Sequence, residues 1–207
     1  PLAARLEHLS LALAQASAFI RENSITIDDY MQLLDESDGG FTDRLSEPFE
    51  AFGRESDTPH AVTATWIVSF KQIEKQHNFA SSVLSMVSLL DRQSIPESFI
   101  KDYYVLAPPT QPTEESDLAA VTKAIGILQA FSFISKGTDK TVGMHGLVQL
   151  VTRKWLVMTG KMGYFAQAAL KLVSNAFPYG ELENRNLCLQ YLPHAIAVLA
   201  TKNKKDG

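Results

Sequence analysis

The sequence predicts a mainly α chain carrying one small β-hairpin. Three observations lead there. Apolar residues recur at steps of three and four through most of the chain. Two short β-favouring runs, FSFIS and TVGMH, bracket the turn-rich KGTDK. Two stretches rich in Gly, Pro and charge, residues 37 to 60 and 107 to 117, divide the periodic segments.

In chain order, Leu2, Leu6, Leu9, Leu13, Ala16 and Ile20 form one stripe, which predicts a helix of about five turns ending near Asn23. Thr26, with Asp29 three residues on, predicts a capped second helix whose apolar side is Tyr30, Leu33 and Leu34. From Ser37 to His60 the chain turns to Gly39, Gly40, Pro48, Gly53 and Pro59 among charges, which predicts a loop with one short helix over 41–46. Val62, Trp66, Phe70 and Ile73 mark a further helix, and Phe79, Val83, Val87 and Leu90 another. In SIPESFI, Ser94 and Glu97 read as a capping box with Pro96 in the first turn, so a third helix begins at once. APPTQPTEESD is a Pro-rich, acidic surface loop, after which Ser116 caps a helix with the stripe Leu118, Val121, Ile125 and Leu128. FSFIS, KGTDK and TVGMH follow as strand, turn and strand, with Gly137 and Asp139 supplying the turn. Helices closed by such a hairpin are the signature of a winged helix. A helix around Leu147, Val151 and Trp155 comes next, then a break at Gly160 to Gly163 and an antiparallel pair over 164–176 and 186–202 that resembles the start of a helical-repeat array. The expected division is 1–57 helical domain, 58–159 winged-helix domain, and 160–207 helical linker or first repeat.

Bulk properties narrow the functions. A chain of 207 residues with 45% hydrophobic and 20% charged residues folds as a globular protein. Its net charge of -4 and pI near 5.7 give no overall attraction to nucleic acid or to an anionic membrane. No apolar run reaches the roughly 18 residues a span needs, and no secretory signal opens the chain. A lone cysteine, Cys188, makes no internal disulfide and lacks C-x-x-C company, which fits a cytoplasmic location. The start at Pro1, already inside a helical pattern, suggests a piece of something longer.

Catalytic and metal motifs are sparse. There is no G-x-x-x-x-G-K-[ST] loop, and the acidic pair in ITIDD, Asp28 and Asp29, reads as helix capping rather than magnesium ligation. His8, His60, His77, His145 and His194 show no H-E-x-x-H spacing, so no metal is expected. Cys188 and His194 lie on one apolar helix with no third orienting group, and the chain alone is not expected to be an enzyme. The adjacent cations Arg153 and Lys154 read as a solvated helix face rather than a DNA contact. On residues alone, His145 at a strand end is a core histidine whose ring satisfies a backbone group.

LEHLSLALAQASAFIREN, SITIDDYMQLL, AVTATWIVSFKQI, LLDRQSIPESFI, MHGLVQLVTRKWL and YLPHAIAVL, in that order over nearly the whole chain, resemble the fungal NB-ARC proteins. These are NOD-like signal-transduction ATPases of the STAND type, associated with innate immunity, whose nucleotide-binding core is commonly followed by tetratricopeptide repeats. The resemblance implies the helical and winged-helix domains and the start of the repeats, with the P-loop domain outside this chain. It implies a cytoplasmic regulatory part that closes over ADP held mainly by that domain and controls nucleotide-dependent oligomerisation. The alternatives are a helical scaffold for protein partners and a DNA-binding winged helix.

Two family motifs fall inside the chain. The G-L-P-L-A-L element, whose proline lies against adenine, matches His8, Leu9, Ser10, Leu11, Ala12 and Leu13, with Ser10 in place of the proline and His8 in place of the glycine. The implied nucleotide contacts there are Leu9, Ser10 and Leu11. The M-H-D element, whose histidine reaches the β-phosphate of ADP, matches Met144, His145 and Gly146, without the acid. At the start of a helix, His145 would sit beside free N–H groups and a positive dipole end, a favourable place for phosphate. Met144, Leu147 and Trp155 are the expected anchors that fix it. ADP or ATP with magnesium belongs to the parent protein, and this part alone is not expected to hold nucleotide tightly. Expected partners are the P-loop domain of the same parent and proteins bound through downstream repeats, with no nucleic acid and no membrane.

Overall fold

The computed structural model describes residues 1–36, 39–46, 60–107, 116–178 and 184–202. The parts of the two expected loops at 37–38, 47–59 and 108–115 lie outside them. Helices occupy most of the rest: α1 (Leu2–Arg5), α2 (Ser10–Asn23), α3 (Ile27–Glu36), α4 (Gly39–Ser46), α5 (His60–Gln76), α6 (Asn78–Val87), α7 (Glu97–Leu106), α8 (Asp117–Ala130), α9 (Gly146–Met158), α10 (Met162–Ala176) and α11 (Arg185–Lys202). Three strands, β1 (Ile95–Pro96), β2 (Ile134–Lys136) and β3 (Thr141–Met144), form one antiparallel sheet in the order β1-β3-β2. None of the described helices is long and apolar enough to cross a membrane.

The first predicted helix is two. Glu7 and His8 take left-handed backbone angles, with φ of 53° and 54°, and separate α1 from α2. Left-handed geometry is costly for residues with a Cβ, so nothing in the apolar stripe signals the break. Thr26 and Asp29 cap α3 reciprocally: the Asp29 amide donates to Thr26 Oγ1 at 3.1 Å, and the Thr26 amide to Asp29 Oδ2 at 2.9 Å. The Thr26 hydroxyl, donating to Asp29 Oδ2 at 2.7 Å, and then the Thr26 amide hold the Asp29 carboxyl below its ordinary range, in keeping with the capping role expected of it. Tyr30 and Leu34 are buried, whereas Leu33 is exposed.

The expected capping box at Ser94 does not form. Ser94 is left-handed at φ 50°, and Pro96 instead sits at the N-cap of α7 after pairing as β1. Ile95 faces Val142 and Pro96 faces Thr141 on β3, and the Glu97 amide donates to Lys140 O at 3.0 Å. An edge strand tolerates proline because its outer side needs no N–H. The sheet therefore has one strand more than the hairpin read from sequence. With it, the order α6-β1-α7-α8-β2-β3 sets three helices and three strands around one antiparallel sheet.

The hairpin turns as expected. Gly137 N–H donates to Thr141 O at 2.8 Å, and Asp139 and Lys140 take φ of 51° and 56°. A Cβ on Gly137 would lie 2.4 Å from Thr141 Oγ1, which is itself bonded to Thr138 O at 2.6 Å. Gly137→Ala is therefore expected to lower stability by about 1–2 kcal/mol and to shift the Thr138–Thr141 amides, as read by urea unfolding and amide NMR. On α8, Ser116 accepts from the Ala119 amide as the sequence predicts, but Leu118 points outward at 62% exposure while Val121, Ala124, Ile125 and Leu128 are buried.

Buried apolar residues from Leu6 to Val198 form one continuous core. Helix α5 is its spine, packing on α2, α3 and α4 at one side and on α6 and α9 at the other. Trp66 and Phe70 stack at 4.5 Å, and Trp155 of α9 meets the Phe70 ring edge at 4.6 Å. The break after α9 is shorter than predicted: left-handed Gly160 (φ 68°) ends the helix and α10 starts at Met162. α10 packs on α11, and also on α6 and α7.

Candidate functional site

His145 is the N-cap of α9, joining β3 to the helix. Its backbone is extended, and its Nδ1 accepts the Leu147 amide at 3.2 Å. The side chain is exposed, so His145 lies outside the core, while its ring satisfies a neighbouring backbone N–H as the residues alone suggested. Because Nδ1 spends its lone pair on Leu147 N–H, the proton of a neutral imidazole is assigned to Nε2, which is then a donor.

The neighbours hold this geometry from behind. Met144 is buried and its amide donates to Arg92 O at 2.9 Å; Leu147 is partly buried against the core; Trp155, two turns on, is buried among Trp66 and Phe70 with Lys161 Nζ 4.7 Å from its ring centroid. These three are the residues that the sequence offered as supports for His145. Gln149 adds a lateral tie, its amide nitrogen donating to Ser88 O at 3.0 Å and Leu90 O at 2.9 Å.

In front of His145 opens a cavity of about 630 Å³ between the hairpin and the Arg92–Ser94 segment. Its wall includes Arg92, Ser94, Ser132, Ser135 and Thr138. Arg92 entered no reading of the sequence, because nothing local ties it to a histidine so far along the chain.

Leu9, Ser10 and Leu11 are not in this wall. Ser10 is the exposed first residue of α2, where a proline would fit because the first-turn N–H needs no helical partner. Leu9 and Leu11 are partly buried against the core. His8, standing where the family motif has glycine, takes the left-handed angle that glycine adopts freely.

One sequence reading changes here. Arg153 and Lys154 are not a solvated face: Lys154 is 2% exposed with Nζ donating to Leu45 O at 2.9 Å, and Arg153 turns inward onto Ser88 O and Leu90 O. Burial pulls the Arg153 guanidinium down to about 10, against the pull of Asp91, so it stays charged at neutral pH. Cys188 and His194 do not meet as a nucleophile and base. The thiol lies 4.0 Å from Pro178 O, while the His194 ring is buried edge-on to Phe99 at 5.5 Å, where burial lowers its proton affinity. Among the described residues no three His, Cys, Asp or Glu side chains converge as a metal site. The outward face of α8, which a DNA-reading winged helix would present, carries Asp117 and Lys123 with Leu118, Ala119 and Thr122 between them, so it has no net positive charge.

A mainly helical fold with one three-stranded antiparallel sheet is the architecture in which this cap stands. The chain is similar to a nucleotide-binding leucine-rich repeat (NLR)-like protein of Hyaloscypha variabilis, with 37% identity over 202 residues, 96% of this chain. That similarity supports placing the chain with the NLR-like proteins, and the chain spans 19% of that relative's length. No protein-family model and no solved structure matches it.

Proposed function

We propose that this chain is the regulatory part of an NLR-like, NB-ARC-type signalling ATPase. Residues 1–57, 58–159 and 160–207 serve as its helical, winged-helix and first repeat segments, acting in the cytoplasm. They close over ADP that a P-loop domain elsewhere in the parent protein grips, together with magnesium, and release for oligomerisation when ATP replaces ADP. The observation that supports this most is the His145 cap: with Nδ1 accepting the Leu147 amide, Nε2 is the ring nitrogen left for another partner, at the N-terminus of α9, where a terminal phosphate is well received. A two-state device needs a contact made in one nucleotide state and not in the other, and a surface histidine reaching one phosphate supplies it.

In the parent protein, His145→Ala is expected to speed ADP release roughly tenfold, the low end for a hydrogen bond to a charged group, and to raise the basal oligomer fraction. Fluorescent-ADP chase and size-exclusion chromatography read both. An unchanged off-rate with an unchanged oligomer state would overturn the reading.

The C-terminal helix favours a partner-binding role in the same protein. Leu189, Leu192, Ile196 and Leu199 recur at steps of three and four on the exposed side of α11, and no charge lies between Arg185 and Lys202. A following repeat helix would cover such a stripe, and protein partners would engage the repeats beyond it.

A further inference from the structure

We propose that Arg92 is a second anion-binding group at the His145 cavity, receiving the diphosphate of the nucleotide, and that Gly146 is what leaves it free to do so. This rests on the nucleotide-switch reading and adds to it a residue, and a reason for a missing one.

The geometry begins at Gly146. A Cβ built there would lie 3.9 Å from Arg92 Cδ, Nε and Nη1, so the guanidinium lies alongside the residue that follows His145. The backbone of Arg92 is fixed by the bond from Met144 N to its carbonyl, and its side chain is exposed. Among the described residues it makes no ion pair. Asp91, next to it in sequence, turns elsewhere: its Oδ1 accepts the Gln93 amide, and its charge acts on Arg153 and His194.

The cavity that Arg92 and His145 share has no Asp or Glu among the described residues of its wall. In a chain of net charge -4, a recess holding a guanidinium, an imidazole and several hydroxyls, and no acid, is selective by sign. Its contents suit an anion with several acceptor oxygens: N–H donors from the guanidinium, one from Nε2, and the Ser94 hydroxyl in the wall. An aspartate at 146 would start from that same Cβ position and bring a carboxylate within ion-pairing range of Arg92. The acid would be an internal competitor for the guanidinium, and glycine removes it.

The test uses the 207-residue chain and inorganic pyrophosphate, followed by ¹H–¹⁵N NMR of backbone amides and the Arg92 Nε–H, against sodium chloride of matched ionic strength. Saturable, millimolar-range shifts at Arg92 Nε–H and the Gly146 and Leu147 amides are expected. Arg92→Gln is expected to weaken this binding roughly tenfold, and Gly146→Asp to weaken it similarly while retaining the fold, since an acid in the first turn suits the helix dipole. Pyrophosphate binding that survives both variants but is lost in His145→Ala overturns the role of Arg92 and leaves the His145 reading standing. Loss in Arg92→Gln with none in His145→Ala keeps Arg92 and removes the histidine contact. Shifts no larger than those of sodium chloride overturn the anion site, and the ADP-release experiment then judges the nucleotide switch on its own.

Discussion

Trp66→Ala is expected to cost about 3–5 kcal/mol, the range for deleting a large aromatic from a packed core, and to be the most damaging single change outside the backbone turns. Trp66 is 1% exposed on α5. It lies face to face with Phe70, with interplanar angle 10°, and its ring centroid is 6.2 Å from Trp155 on α9 and 6.4 Å from Phe133 just before β2. One side chain thus joins the spine helix to the sheet and to the helix that His145 caps. Trp66→Phe is expected to lose less, because a six-membered ring retains the stack on Phe70, and because the buried indole Nε1 has no hydrogen-bond partner to give up. Urea unfolding followed by far-UV circular dichroism gives both values. A loss under about 1 kcal/mol for the alanine variant would mean that the aromatic cluster is not what joins these elements.

The helices were legible because each carries an apolar stripe, and the Trp66, Phe70 and Ile73 stripe is as regular in the fold as in the sequence. What was illegible depends on contacts made at a distance. Glu7 and His8 break the first helix with no glycine or proline to announce it. Ile95 and Pro96 become a strand only because the Val142 side of β3 offers an edge to pair with, and two residues have no period of their own. The position of His145 at a strand–helix joint could be read directly, but its exposure and tautomer could not, since both follow from how the hairpin sets the first turn of α9. Arg92 reaches the same place through the Met144–Arg92 backbone bond, which sequence spacing does not encode.

The cations were misread for a related reason. A basic residue on a helix is ordinarily read as part of its solvated face, yet three here serve another helix. Arg21 of α2 donates to Ala130 O at the end of α8, at 3.1 Å. Arg153 of α9 reaches the carbonyls of Ser88 and Leu90, just past the end of α6. Lys154, next to it, reaches Leu45 O in the last turn of α4. Carbonyls at a helix C-terminus lack helical partners and carry the negative end of the dipole, so each cation satisfies an acceptor and a field together. In this way α9 ties down the segment after α6 and the end of α4.

Lys154 provides the sharpest measure of that arrangement, because its ammonium is buried. Lys154→Ala removes the donor to Leu45 O and the aliphatic stem that fills the space around it, and is expected to cost about 3 kcal/mol. Lys154→Met keeps most of the stem and loses the charge and its polar contacts, so a smaller loss of about 1–2 kcal/mol is expected. The difference between the two variants separates packing from electrostatics. Hydrogen exchange locates the effect: the amides of α4 should lose protection in both variants, while those of α8 and β3 keep theirs, because the Ser88 and Leu90 ties through Gln149 and Arg153 are untouched. If Lys154→Ala unfolds within about 0.5 kcal/mol of the parent chain, or if α4 keeps its protection, the lysine does not hold α4 to α9. If the loss is confined to α4, the joint between α4 and α9 can be loosened without disturbing the His145 cap. In that case Lys154→Met in the parent protein would report whether ADP release depends on this joint or only on the residues that face the phosphate.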